Sequence, residues 1–220
     1  MSIRKIAFVK GEYYHIYNRG NSKQKIFLSK KDYERFLALL YGVNTNERFN
    51  FFNLQETGGV FAHKTEDQLV SIGAYCLMPN HFHILITPLT DDGLSKFMQK
   101  LSTAYSMYFN ETYKRTGGLF EGKFKSVHLN TDNQLKYIFS YIHLNPVKLI
   151  DSKWRENGLK NIKKTLEYLK TYPYSSFLDY LKEDRKEKLI LKFSDFPNYF
   201  NSKKVFRKEI FDWLAYNNNC

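Results

Sequence analysis

Apolar residues recur at helical spacing over a long central segment of the chain. From Asp91 to about Lys114 they fall at i, i+3, i+4 and i+7, while lysines occupy the opposite face. The repeat consists of Leu94, Phe97, Met98, Leu101, Ala104, Tyr105 and Tyr108. It predicts the longest helix of the chain, ended by Gly117 and Gly118. The same spacing predicts an earlier helix that begins after Ser29 and ends near Val43.

A β-rich run followed by alternation marks the segment from Gln68 to Thr87. Pro79 and Asn80 supply a turn inside it, so an antiparallel hairpin is predicted. In the second strand His81 and His83 point to one face. The opposite face is apolar and consists of Phe82, Ile84 and Ile86.

The remaining patterns complete an α+β order. Strands are predicted at 12–18 and 124–129, a loop at 44–67, and a helix around Tyr141 that Asp132 caps and Pro146 ends. The order strand, helix, hairpin, helix, strand, helix favours an antiparallel sheet packed with helices. Three further helical segments are predicted beyond residue 150: Leu159–Lys170, Ser175–Lys182 and Lys203–Tyr216.

Composition points to a polyanionic partner. The 220 residues include 34 Lys and Arg against 22 Asp and Glu, a formal charge of +12, which favours nucleic acid or an anionic membrane surface. With 43% hydrophobic residues the chain has enough apolar side chains for a substantial core. No apolar run approaches the ~18 residues that span a bilayer, and the N-terminus lacks a signal-peptide core, so a soluble cytoplasmic protein is expected.

Cysteine usage excludes two kinds of site. Only Cys76 and Cys220 are present, which supports neither a disulfide framework nor a cysteine-based zinc site.

The histidine pair forms half of a metal site. Residues two apart on a strand face lie ~6–7 Å apart at the backbone, so both rings can converge on one ion. Two half-exposed histidines without a metal would show the same spacing, and a metal site needs a third ligand. Tyr141 and Asn145 are four apart on a predicted helix, so they present a phenol and an oxygen ligand on one face.

Four motifs in family order resemble those of single-tyrosine HUH transposases, most closely the REP-associated tyrosine transposases. They are Tyr14–Gly20, Met78–His83, Gly117–Ser126 and Tyr141–Lys148, followed by a weaker echo at Tyr172–Phe177. The resemblance implies a ferredoxin-like HUH fold with a catalytic domain at residues 1–150. Residues 151–220 are then expected to form a basic helical C-terminal extension.

The resemblance also implies a chemistry. It implies that Tyr141 attacks hairpin-containing single-stranded DNA and leaves a 5′-phosphotyrosine and a free 3′-hydroxyl. A divalent ion, Mg²⁺ or Mn²⁺, is implied at His81, His83 and, by position, Asn145. A phenol with a pKa near ~10 is a poor nucleophile without assistance but a competent leaving group, which suits reversible strand transfer.

Other residues are expected to contact DNA or to support the sheet. Arg19, Lys123 and Lys125 lie in or beside glycine-containing turns and are predicted phosphate contacts. His15 is expected either to approach DNA or to support the sheet, and His143 to be structural.

Three competing functions fit parts of the sequence. A relaxase-type HUH nuclease would bring a third histidine close to the pair, and residues 84–89 contain none. A domesticated DNA- or RNA-binding protein would keep the fold without the activity. A metal-dependent phosphodiester hydrolase would need no tyrosine. For the oligomeric state, a monomer is expected and a dimer stays open.

Overall fold

One antiparallel sheet of four strands organises the protein. The computed structural model describes residues 7–47, 59–62 and 67–216, so most of the predicted loop at 44–67 lies outside the described residues. The strands are β1 (Tyr13–Arg19), β2 (Val70–Met78), β3 (His81–Pro88) and β4 (Lys125–Leu129), and their order in the sheet is β2-β3-β1-β4. The helices are α1 (Lys30–Gly42), α2 (Gly93–Thr112), α3 (Asp132–Leu144), α4 (Trp154–Asn157), α5 (Ile162–Lys170), α6 (Phe177–Tyr180) and α7 (Lys203–Tyr216).

The element order up to β4 is strand, helix, strand, strand, helix, strand. This is the ferredoxin-like order, and it confirms the predicted α+β class with an antiparallel sheet and C-terminal helices. Within the described residues, no helix combines the length and the apolar character needed to cross a membrane.

The buried Asp32 carboxylate caps the start of α1 and joins α1 to α2. Ser29 is the N-cap of α1, and the Asp32 carboxylate accepts the backbone N–H groups of Leu28 and Ser29, both at 2.7 Å. The same buried carboxylate accepts hydrogen bonds from the hydroxyls of Tyr108 and Tyr113, which ties α1 to the end of α2.

The start of α3 differs from the prediction by one residue. Thr131, not Asp132, is the N-cap, because the Thr131 hydroxyl accepts the Gln134 N–H at 3.2 Å. Asp132 is the first helical residue, where its negative charge complements the helix dipole.

The two faces of the sheet bury different side chains. On the α1–α2 face, Ile16, Phe82 and Ile84 pack with the two helices in the largest apolar cluster. The α3 face is covered by α3, whose Leu135, Ile138, Phe139 and Ile142 pack on Ala74, Cys76, Met78 and Leu85. Because side chains alternate along each strand, His15, Tyr17, His81 and His83 all belong to the α3 face.

The C-terminal extension pairs with the outer edge of β2. Leu77 N–H donates to the Tyr174 carbonyl at 2.9 Å, and Ser176 N–H donates to the Tyr75 carbonyl at 3.0 Å. This pairing explains why the predicted helix from Ser175 to Lys182 is limited to Phe177–Tyr180. The extension packs closely against Gly73, where a Cβ atom would lie 2.8 Å from the Phe196 ring. The helix α7 has its predicted bounds.

Candidate active site

The histidine pair of β3 lies on the α3 face near the start of the strand. The ring centroids of His81 and His83 are 5.0 Å apart. In the register with β1, His83 is opposite Tyr17 and His81 is opposite Arg19. His83 is 6% exposed, while His81 is more accessible. The His83 ring is therefore the more deeply buried of the two, and the His81 ring is the more accessible.

Each of these histidines is held through its Nδ1 atom. His81 Nδ1–H donates to Asn80 Oδ1 at 2.7 Å, and a hydrogen bond of 2.9 Å joins His83 Nδ1 to His15 Nε2. A partner on Nδ1 fixes the ring and directs Nε2 to a metal or another ligand. His15 thus contacts the pair from the neighbouring strand, a contact that the sequence did not predict.

Burial keeps these imidazoles neutral. It lowers the pKa of His15 and of His81 to about 4, and nearby Lys148 and Arg19 also lower the pKa of His81. The pKa of His83 is lowered well below its ordinary value, first by burial and then by His15 and other neighbouring bases. A neutral imidazole has the free lone pair that metal binding requires.

The helix α3 brings Tyr141 against the same rings. The Tyr141 ring centroid is 5.7 Å from that of His15 and 5.4 Å from that of His83, in edge-to-face contacts. Burial raises the pKa of Tyr141, and the positive charge of Arg155 opposes that rise. The phenol is therefore protonated at neutral pH and lies beside cations.

Asn145 lies one turn after Tyr141 and is fully buried. Its Nδ2 donates to the Tyr141 carbonyl at 2.8 Å, which closes the last turn of α3. Its Oδ1 has no hydrogen-bond partner among the described residues. A buried carbonyl oxygen without a partner is costly, and Asn145 lies behind Tyr141 rather than among the residues that line the cleft.

The residues around the histidines and the tyrosine enclose a cleft of 330 Å³. Its lining consists of Tyr17, Asn18, Arg19, Lys23, Asn80, His81, His83, Glu121, Lys125, Tyr141 and Lys148. Four of these side chains are cationic and one is acidic, so the cleft favours an anion.

A model of the family described as "Transposase IS200 like" matches residues 8–145. This match spans more than half of the chain, including β1, the histidine strand and Tyr141. The chain belongs to the IS200-like transposase family. The family match confirms the resemblance to single-tyrosine transposases drawn from the motifs.

A solved structure has the same fold. It is described as a REP-associated tyrosine transposase bound to a REP hairpin, and it is 14% identical to this chain. The superposition covers 85% of this chain and 90% of the other with a TM-score of 0.51. No curated protein gives a significant match to this IS200-like sequence.

The predicted phosphate contacts fall in three different settings in this IS200-like chain. Arg19 lines the cleft but forms a two-pronged ion pair with Glu121, whose second contact joins Arg19 Nη2 to Glu121 Oε1 at 2.9 Å. Lys125 lines the cleft and is exposed. Lys123 lines a second groove, beside Gly122 and Phe124. The structure thus brings two of the three to the cleft.

Several residues of the site were not assigned from the sequence. Asn80 and Lys148 lie inside the quoted motifs, next to His81 and after Pro146, so motif membership was a usable signal for both. Glu121 lies in a motif as well, but its pairing with Arg19 follows from the fold. Arg155 lies outside all four motifs, and nothing in the sequence pointed to it.

The residues in and behind the cleft offer two imidazole nitrogens and one amide oxygen as potential ligands for a divalent ion. No group of three or more His, Cys, Asp or Glu side chains suited to a metal occurs in the described part of the chain. The set available is instead two imidazoles with Nδ1 already bonded and one amide oxygen without a partner. Two nitrogen ligands and one oxygen ligand leave further positions for phosphate oxygens.

Proposed function

We propose that this IS200-like transposase cleaves and rejoins single-stranded DNA with Tyr141 as the nucleophile. The observation that carries the proposal is the contact of the Tyr141 ring with the His15–His83 pair inside a cationic cleft. A nucleophile, charge neutralisation and a held geometry are what phosphodiester transfer requires.

In the proposed reaction the Tyr141 hydroxyl oxygen attacks phosphorus. The bond from phosphorus to the 3′ oxygen breaks, the phenol loses its proton, and the leaving 3′ oxygen gains one. The products are a 5′-phosphotyrosine and a free 3′-hydroxyl. The energy of the broken bond is kept in the covalent link, so the reverse reaction rejoins DNA without ATP.

We infer that His81, His83 and Asn145 hold a divalent cation, Mg²⁺ or Mn²⁺. Support comes from the bonded Nδ1 atoms of the histidines and the unpartnered Oδ1 of Asn145. When bound, such a cation polarises the phosphate and neutralises its charge. His15 and Asn80 fix the rings of the two histidine ligands.

The proposed substrate is a hairpin-bearing single strand. A formal charge of +12 supports a nucleic-acid partner, and the REP-associated transposase of the same fold was solved with a REP hairpin. We further propose a catalytic unit at residues 1–150, an extension at 151–220 and a monomeric protein. The occupied edge of β2 supports the monomer, because its Tyr75 carbonyl and Leu77 N–H already have partners.

The test compares DNA cleavage and covalent adduct formation by the wild-type protein and by Tyr141→Phe. The wild-type protein, incubated with Mg²⁺ or Mn²⁺ and a labelled hairpin-bearing strand and then denatured, should give a slowly migrating adduct. Tyr141→Phe removes only the hydroxyl and should lose both adduct and cleavage while still binding DNA. Tyr137→Phe, one helical turn away at a ring distance of 5.9 Å, is the matched control and should keep both.

Each competing function gives a different result. A phosphodiester hydrolase would cut in the Tyr141→Phe protein and form no adduct. A DNA-binding protein without activity would bind the strand and leave it intact in the wild type.

A further inference from the structure

Two cations, Arg155 and Lys148, lie over the ring of Tyr141. The Arg155 guanidinium carbon is 4.7 Å from the ring centroid, and Lys148 Nζ is 5.9 Å from it. Both distances fall within the range of a cation–π contact. The proposed nucleophile is therefore bordered by histidines and by two positive charges.

The local fold holds both cations near the tyrosine. Lys148 belongs to the 3₁₀ turn Asn145–Leu149, which begins where Pro146 follows α3. Arg155 belongs to α4, and its neighbour Trp154 is 2% exposed in a cluster with Leu144 and Val147. The Arg155 guanidinium also lies 5.2 Å from the Trp154 ring. A buried tryptophan thus anchors the short helix that carries Arg155.

Among the described cations that line the cleft, Lys148 alone is both half-buried and without a salt bridge. Arg19 is neutralised by Glu121, whereas none of the salt bridges between described residues uses Lys148. Lys148 is also half-buried, while Lys125 is exposed. Burial and the nearby charge of Arg155 lower the pKa of Lys148. A half-buried cation beside another cation is costly in the free protein and is relieved by an anion.

We propose that Lys148 is a catalytic residue that binds the phosphate attacked by Tyr141, and that Arg155 is a positioning residue that holds the Tyr141 ring. This inference rests on the proposed function. During attack, negative charge grows on the non-bridging oxygens of the phosphate, and an ammonium group fixed beside the nucleophile stabilises that charge. A ring held by stacking keeps the phenol oxygen in line with phosphorus.

The chain supplies matched controls for both residues. Arg115 stacks on Phe109 at 5.6 Å and Lys186 on Phe61 at 5.7 Å, and neither lines the cleft. Arg115→Gln and Lys186→Gln therefore remove similar cation–π contacts elsewhere and should leave cleavage unchanged.

The first measurement is single-turnover cleavage at saturating hairpin-bearing DNA. Lys148→Gln should slow it by ~10²-fold and Lys148→Arg should restore most of the rate. Arg155→Gln should slow it by ~10-fold with little change in DNA affinity, and Arg155→Lys should recover part of the loss. Lys148→Met, which keeps the apolar stem, should match Lys148→Gln. Wild-type rates in Lys148→Gln or Arg155→Gln would overturn the role of that residue.

Two further measurements need no cleavage. In the Tyr141→Phe background, Lys148→Gln should reduce the slope of log affinity against log salt by about 1. In DNA-free protein labelled with 3-fluorotyrosine, Arg155→Gln should move the ¹⁹F resonance that Tyr141→Phe removes, and Arg115→Gln should not. If the wild type formed no adduct, the proposed function would be wrong. The salt slope and the ¹⁹F resonance would still test the roles of Lys148 and Arg155. An unchanged salt slope or an unmoved resonance would contradict the role of the residue concerned.

Discussion

The two faces of the sheet use the same strands for opposite purposes. On the α1–α2 face, Phe82 and Ile84 are almost fully buried in a continuous apolar cluster. On the α3 face, the adjacent residues His81 and His83 belong to a polar cluster that opens into the cleft. Alternation along this strand therefore places a core residue and a residue of the proposed metal site at successive positions. Neighbours in sequence should respond to substitution in different ways.

The largest expected effect is on the α3 face. His81→Ala should reduce cleavage by at least ~10²-fold, because it removes one of the proposed metal ligands and leaves the apolar cluster intact. DNA affinity should change little, since phosphate contacts by Lys and Arg supply most of it. Cleavage in Mg²⁺ buffer and filter binding, measured on the same preparation, check both points. If His81→Ala cleaved at the wild-type rate in the presence of a chelator, the proposed metal dependence would be wrong.

The adjacent position tests the other face. Phe82 contacts Phe36 with ring centroids 5.0 Å apart and is 1% exposed. Phe82→Ala should lower the free energy of unfolding by ~3–5 kcal/mol. Urea denaturation measures this change, and His81→Ala should alter the same quantity by ~1 kcal/mol or less. A larger loss of stability in His81→Ala than in Phe82→Ala would reverse the assignment of the two faces.

A smaller effect is expected at His15, which contacts the proposed metal ligand His83 and is not itself a proposed ligand. His15→Gln removes the partner of His83 Nδ1 and should weaken metal affinity or cleavage by ~10–100-fold. His128→Gln is the control, since His128 lies on β4 outside the cleft and pairs with Glu12 at 2.8 Å. Isothermal titration with Mn²⁺ measures the affinity directly. Equal behaviour of the two variants would show that the hydrogen bond to His83 is not used.

The smallest effect is expected at the rim of the cleft. Lys125→Gln should weaken DNA binding a few-fold and reduce the salt slope by about 1, because it removes one proposed phosphate contact. The single-turnover cleavage rate at saturating DNA should stay unchanged. If Lys125→Gln cleaved more slowly at saturating DNA and kept the wild-type salt slope, Lys125 would act in the cleavage step rather than in DNA binding.

Local sequence determined which elements form, because their signals lie within a few residues. The apolar repeat gave α2 to within two residues at each end, and Pro79 and Asn80 gave the hairpin. The shared face of His81 and His83 followed from strand alternation alone. These predictions needed no knowledge of which strands pair.

The rest of the site depends on contacts distant in the chain. His15 meets His83 across 68 residues only because β1 pairs with β3 in one register. Arg19 was predicted to contact phosphate. In the structure it pairs with Glu121, which is 102 residues away in the sequence. Arg155 reaches Tyr141 through the packing of Trp154. Strand register and side-chain packing of this kind are not encoded in a local pattern.

The site and the polarity of the protein–DNA link decide most directly whether Tyr141 is the nucleophile. A hairpin-bearing strand labelled at its 3′ end should leave its label on the protein after cleavage, while a strand labelled at its 5′ end should release a labelled fragment with a free 3′-hydroxyl. Proteolysis and mass spectrometry should then find the nucleotide on the peptide that contains Tyr141. A link at Tyr137 or another tyrosine, or a label of the opposite polarity, would contradict the assignment of Tyr141 as the nucleophile of the α3 face.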